Sequence, residues 1–280
     1  MAGSDGLYGP DSVTWRVMGQ PVMWVAGFRA LYLQALHPRV MRGTWQNTMF
    51  ARPREAWGRF QRTTEFVRIR TYGSLAEVER AGRRVRKLHA TLHGTDPDGT
   101  EFRLDEPELL LWVHCAEVGS YADVARRGGI PVTAAELDVF VAEQRRSAAV
   151  VGLDPAAAPG SIAELDSYFE RLRPVLQATP EARSALLRSL NPPLPAPYLP
   201  LKLALPPLTT LGFASLPRWA RRRYGFPGSP LTDVAATAGL RAVQEAGRRV
   251  PGQLLLPAAR AAHRLIRARQ AGLPGASRTA

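Results

Sequence analysis

The chain has 280 residues, 45% of them hydrophobic, enough to build a full core. Its 37 lysines and arginines against 24 acidic residues give a net charge of +13. The arginines recur singly or in short groups without interleaved aromatics, which argues against a nucleic-acid partner. The one cysteine, Cys115, excludes an intramolecular disulfide and fits a reducing, cytoplasmic setting.

The hydrophobic pattern is helical almost throughout, with almost no period-2 alternation and no repeat. The expected fold is therefore all-α: one multi-helix domain over residues 1–270, with a frayed tail over 271–280. In chain order, Asp11 or Ser12 caps a first segment. Residues 22–36 form a nearly all-apolar helix, expected to be buried at the centre, and Pro38 follows its end. This run contains Arg29 and Gln34 and is shorter than the ~20 residues a membrane crossing needs. No secretory leader opens the chain.

Trp57, Phe60, Thr64 and Val67 recur at helical spacing. Val78, Ala81, Val85, Leu88 and Leu92 make a second stripe with arginines opposite. Thr95 to Gly99 reads as a turn. Asp105 or Glu106 before Pro107 opens a helix that runs to about Arg127. Thr133 opens another over 134–151, Ser161 to Glu164 is a capping box for 161–173, and Thr179 starts a shorter helix to Ser189. Residues 192–217 are proline-rich and expected to be irregular. Within them, Pro193 to Leu216 lies on a lipid surface or wraps the core. Residues 231–247 and 256–269 complete the helices.

Four of the five histidines, His37, His89, His93 and His114, fall on or beside these apolar patterns. Histidine is the commonest metal ligand and titrates nearest neutrality. Each also has a plainer reading. His37 suits a helix C-terminus, His89 the margin of a stripe, and His114 a buried hydrogen bond to a backbone carbonyl. His89 and His93, at i and i+4, can clamp one zinc or iron from a helix, with His114 or Glu117 as third ligand. Arg59 and Thr63 share a helix face away from the apolar stripe, which reads as a solvated face. Cys115 is a small core residue.

The phrases GPDSVTWRV (9–17), LQALHP (33–38), RFQRT (59–63), TYG (71–73), VRKLHA with LHGTDPDG (85–99), LLLWVHCAEV (109–118), VAEQRR (141–146) and VGLDP (151–155) carry a resemblance. In this order the chain resembles the MpaB-type oxygenases, which share a catalytic domain with the latex-clearing rubber oxygenases. The resemblance covers most of residues 7–225. It implies a b-type haem, held without covalent attachment because no C-x-x-C-H is present. It makes His89 the proximal iron ligand and sets Arg59 and Thr63 near the haem as catalytic and cofactor-binding residues, while His37 becomes a distal-pocket residue. It further implies dioxygen and a hydrophobic, isoprenoid-type small molecule as reactants. The chain departs from the family in two places. No carboxylate lies between Met41 and Phe50, where the rubber oxygenases place a glutamate upstream of the Arg-x-x-x-Thr pair. Asn47–Thr48 stands where relatives carry His-Ser.

The sequence reading is a haem-dependent oxygenase. Two other readings are compatible with the residues: a nonhaem His-ligated metalloenzyme, and an all-α protein that carries a lipid or terpenoid in an apolar cavity without chemistry.

Overall fold

The computed structural model describes residues 6–47, 53–190 and 199–249. Its helices, in order, are α1 (Val13–Met18), α2 (Met23–Gln34), α3 (Pro38–Asn47), α4 (Pro53–Tyr72), α5 (Leu75–His89), α6 (Pro107–Arg127), α7 (Ala134–Val150), α8 (Ile162–Leu172), α9 (Pro180–Leu190), α10 (Leu199–Ala214), α11 (Arg218–Tyr224) and α12 (Pro230–Arg249). A two-stranded antiparallel hairpin, β1 (His93–Thr95) with β2 (Glu101–Arg103), separates α5 from α6. The architecture is all-α.

The apolar run over 22–36 becomes α2, the centre of the fold. It packs most extensively on α6 and then on α10. Val25, Ala26 and Leu33 of α2 and Trp112, Cys115, Ala116 and Val124 of α6 are all buried in one core. Arg29 lies inside this apolar helix because its guanidinium finds three partners. It donates to the Ser215 and Gly119 carbonyls at 3.2 and 3.4 Å and to Asp123 at 3.1 Å. A buried charge is tolerated only with such pairing. Pro38 does not simply end α2. It is the first residue of α3, where a missing N–H costs nothing.

The proline-rich stretch differs from the expectation of irregular chain. Residues 191–198 lie outside the described residues, but 199–214 are helical despite Pro206 and Pro207. Two lost N–H donors weaken that helix. Its packing on α2 outweighs the loss, because Gly212 brings the backbones together. A Cβ at position 212 would sit 3.0 Å from the Phe28 Cβ and 3.3 Å from the Val25 carbonyl oxygen.

The turn at 95–99 forms as read, and it closes a hairpin that the periodicity did not announce. Each strand has three residues and one buried position, Gly94 or Phe102, too short for an alternation to register. The Phe102 ring covers Gly94 so closely that a Cβ there would lie 2.2 Å from it. Caps largely follow the sequence. Ser12, not Asp11, caps α1 by accepting the Trp15 N–H at 3.2 Å. Glu106 precedes Pro107, but its carboxylate accepts the Arg103 N–H rather than capping α6. Thr133 and Glu136 form a full capping box. At α8 only half the expected box is made: Ser161 accepts the Glu164 N–H, while the Glu164 carboxylate takes the Gly160 N–H instead. The expected helix at 256–269 and the tail at 271–280 lie outside the described residues. Among the described residues no helix is long and apolar enough to cross a membrane.

Candidate functional site

The candidate site is built by two helices that fold back on one another. Gly73 ends α4 at a close approach, since a Cβ there would stand 2.5 Å from the Ile69 carbonyl oxygen. Ser74 and Glu77 then form a reciprocal capping box that starts α5. Because α5 returns along α4, its last residue, His89, comes to lie beside Arg59, and the two are electrostatically coupled.

His89 is half-buried, and its Nδ1 is enclosed with no hydrogen-bond partner among the described residues. Burial pushes its pKa below the ordinary histidine value. The Arg59 charge adds to that, and Asp105 opposes it. The imidazole is therefore neutral at pH 7, the form whose lone pair binds a metal. Arg59 is itself partly buried. Burial, then neighbouring Arg62, lowers its pKa, and its Nη2 donates to the Thr44 hydroxyl at 3.4 Å. Thr63 shares the Arg59 face, but it is exposed and its hydroxyl donates back to the Arg59 carbonyl at 3.0 Å. Arg59 and His89 are thus brought together, with Thr63 at the rim.

His37 has other neighbours. Its ring stands 6.3 Å from Trp112, its carbonyl accepts the Met41 N–H in the first turn of α3, and its Nδ1 is again buried with no partner among the described residues. Burial first, then Arg39, lowers its pKa, against the pull of Asp96. The stripe expected to shield His89 is only partly apolar cover. Val78 is buried, yet Leu88 is 54% exposed because α5 turns its packed face through Gly82 onto Val150.

The helical clamp of His89 with His93 does not form. The helix stops at His89, and His93 is exposed on β1, where its carbonyl accepts the Asn47 amide. Among the described residues no three His, Cys, Asp or Glu side chains converge as a metal site would need.

His114 is buried as read, and it lies against an ion pair that the sequence reading did not anticipate. Arg70 of α4 donates to both carboxylate oxygens of Glu117 of α6, at 3.2 and 2.6 Å. Burial alone would raise the Glu117 carboxyl. Arg70 and the hydrogen bonds from Arg70 and Tyr121 hold it below the usual range. Burial and the Arg70 charge push His114 down to about 4. Tyr8 closes this cluster from the N-terminal side, in contact with Gln144 and Ser147 of α7. The available signal was the spacing of His114, Glu117 and Tyr121 at i, i+3 and i+7, one face of α6. Cys115, on the other side of α6, is a buried thiol whose pKa burial raises.

The described residues thus form an all-α fold in which the half-buried His89 and Arg59 lie together near the tip of a helical hairpin. A sequence model of the family described as ER-bound oxygenase mpaB/B'/Rubber oxygenase, catalytic domain, matches residues 15–249, and the chain belongs to that family. It is an oxygenase catalytic domain, and so an oxidoreductase. No curated protein and no solved structure matches the chain.

Proposed function

We propose that the protein is a haem b-dependent oxygenase that uses dioxygen on a hydrophobic small molecule of isoprenoid type, with residues 1–270 as one catalytic unit. The observation that carries this reading is the His89 imidazole: enclosed, unpartnered at Nδ1, kept neutral, and set beside a partly buried Arg59. Those properties fit the proximal ligand of a haem iron, which takes a neutral imidazole nitrogen. When bound, haem supplies the activation of dioxygen, chemistry that protein side chains lack.

The chain's own residues bind and orient. His89 provides the iron ligand, and Arg59 provides fixed positive charge for a propionate or a reduced oxygen species. Thr63 offers a hydroxyl next to Arg59, and His37, half-buried beside Trp112, would be the distal-pocket residue of this reading. The substrate reaches the protein from a lipid surface, met by exposed apolar side chains such as Leu203 of α10, which is 69% exposed.

The absorption spectrum tests the reading. The purified protein, reconstituted with haemin where required, gives an intense Soret band. His89→Ala loses haem or shifts the band strongly, while His93→Ala and His114→Ala retain it. A protein that refuses haemin and holds stoichiometric zinc would overturn the proposal. Haem loss in His114→Ala but not in His89→Ala would move the ligand to the cluster on α6.

A further inference from the structure

The outward face of α5 carries Arg80, Arg84 and Lys87 at i, i+4 and i+7, one row along the helix. All three are exposed, and among the described residues none makes a hydrogen bond or ion pair. The two carboxylates of the helix are already engaged. Glu77 takes the Ser74 N–H and hydroxyl, and Glu79 pairs with Arg83 and Arg86. Across the hairpin, exposed Arg62 of α4 adds a further cation beside Arg59. Several other exposed arginines are matched locally, as in Arg16 with Glu136, Arg103 with Asp105, Arg126 with Asp123 and Arg218 with Asp233. Like charges at helical spacing repel and oppose helix formation. The α5 row therefore works against its own helix, and Glu77, three residues from Arg80 and already bonded to Ser74, offsets only part of that repulsion.

We propose that this row is a docking surface for an acidic polypeptide, seated along α5 and reaching the end of the hairpin where His89 and Arg59 lie. The side chains on the face select the kind of partner. A helix that inserts in lipid alternates cations with large apolar residues, but this row is flanked by Ala76, Glu77, Arg83 and Thr91, and Leu88, four residues from Arg84, is its single large apolar neighbour. A surface for single-stranded nucleic acid adds aromatic side chains on which bases stack, and α5 has none. The row is thus mainly charge, with one leucine beside it and no stacking contacts, the complement of a run of carboxylates. The inference does not depend on the cofactor.

The test compares two full-length variants of equal net charge. One reverses the row (Arg80→Glu, Arg84→Glu, Lys87→Glu). The other reverses three exposed arginines elsewhere (Arg171→Glu, Arg222→Glu, Arg248→Glu). Binding of poly-L-glutamate at low salt is expected to fall at least ~10-fold more in the first than in the second, and to weaken as salt rises. Equal losses in the two variants would show that net charge alone attracts the probe and would overturn the proposal. Phosphatidylserine vesicles and a single-stranded RNA complete the comparison. Selective loss of vesicle or RNA binding in the row variant, with poly-L-glutamate binding unchanged, would also overturn it and assign the row to that other partner. Circular dichroism of both variants establishes that α5 is intact. If the row variant does not fold, single reversals at Arg84 and Lys87 replace it and must each weaken poly-L-glutamate binding more than Arg222→Glu.

Discussion

At the scale of single residues, the proposed site turns on keeping an imidazole neutral. Because burial and Arg59 lower the His89 pKa, haem retention is expected to persist as pH falls through the ordinary histidine range. It is lost only when the lowered value is crossed. Arg59→Ala removes one of the two causes, raises that value, and shifts the loss of the Soret band to higher pH. A pH profile identical to wild type would leave Arg59 without a part in the site. Thr63→Val retains haem and changes stability by less than ~0.5 kcal/mol, since the hydroxyl is exposed and bonds only to its own helix. His114 carries a second pH dependence. Its folded value, about 4, lies below the unfolded one of about 6.5, so the folded state binds fewer protons. The stability contribution is complete above pH ~6.5 and declines toward pH ~4, by about 1.4 kcal/mol per pH unit at most. Urea midpoints between pH 7.5 and 5 measure the slope, and His114→Gln should flatten it.

Arg59 shows how far a residue can be read. The family phrase singled it out, but periodicity alone set it on a solvated face, because spacing along α4 carries no knowledge that α5 folds back over it. Arg70 and Glu117 failed for the same reason: their pairing spans two helices, and a single sequence shows each charge without its partner.

At the scale of elements, the central helix is fastened by a charge. Arg29→Ala leaves Asp123 with only its α6 neighbours Arg126 and Arg127, leaves the Ser215 carbonyl to Arg127, and removes the side-chain donor from the Gly119 carbonyl. Breaking a buried, hydrogen-bonded ion pair from one side is expected to cost about 3–5 kcal/mol. Chemical denaturation reads the loss, and an effect under ~1 kcal/mol would mean that Arg127 takes over. On the facing helix, Gly212→Ala forces a methyl against Phe28 and the Val25 carbonyl and should cost about 1–3 kcal/mol. The boundaries of α7 and α9 were legible because caps and apolar spacing agreed there, and those of α2 and α6 because apolar spacing agreed with the neighbouring Pro38 and Pro107. The helix α10 was not, because Pro206 and Pro207 signal a break locally while the packing that overrides them comes from α2, more than 170 residues away in the chain.

At the scale of the whole molecule, the all-α class was evident from periodicity, since a core made by helices leaves its 3.6-residue signature on nearly every segment. The hairpin β1–β2 escaped it because three-residue strands are too short to alternate. The stripe on α5 read as apolar cover, yet it ends in an exposed Leu88: spacing showed which side chains share a face, but not how far the neighbouring helix extends to meet them.

The α4–α5 hairpin has one further consequence, for how this protein tolerates change over evolutionary time. Arg59 and His89 sit near the tips of two arms joined at Gly73 and Ser74, with α5 alone running ~22 Å from its cap to the histidine. Each residue inserted in one arm advances its tip by about 1.5 Å and turns it by about 100°. A single insertion or deletion in α5 would therefore swing His89 away from Arg59 without disturbing the core formed by α2 and α6. Only changes of whole turns, matched on both arms, keep the tips in register. Length in this stretch is therefore fixed more tightly than residue identity at the outer positions that lie outside the Arg80, Arg84 and Lys87 row.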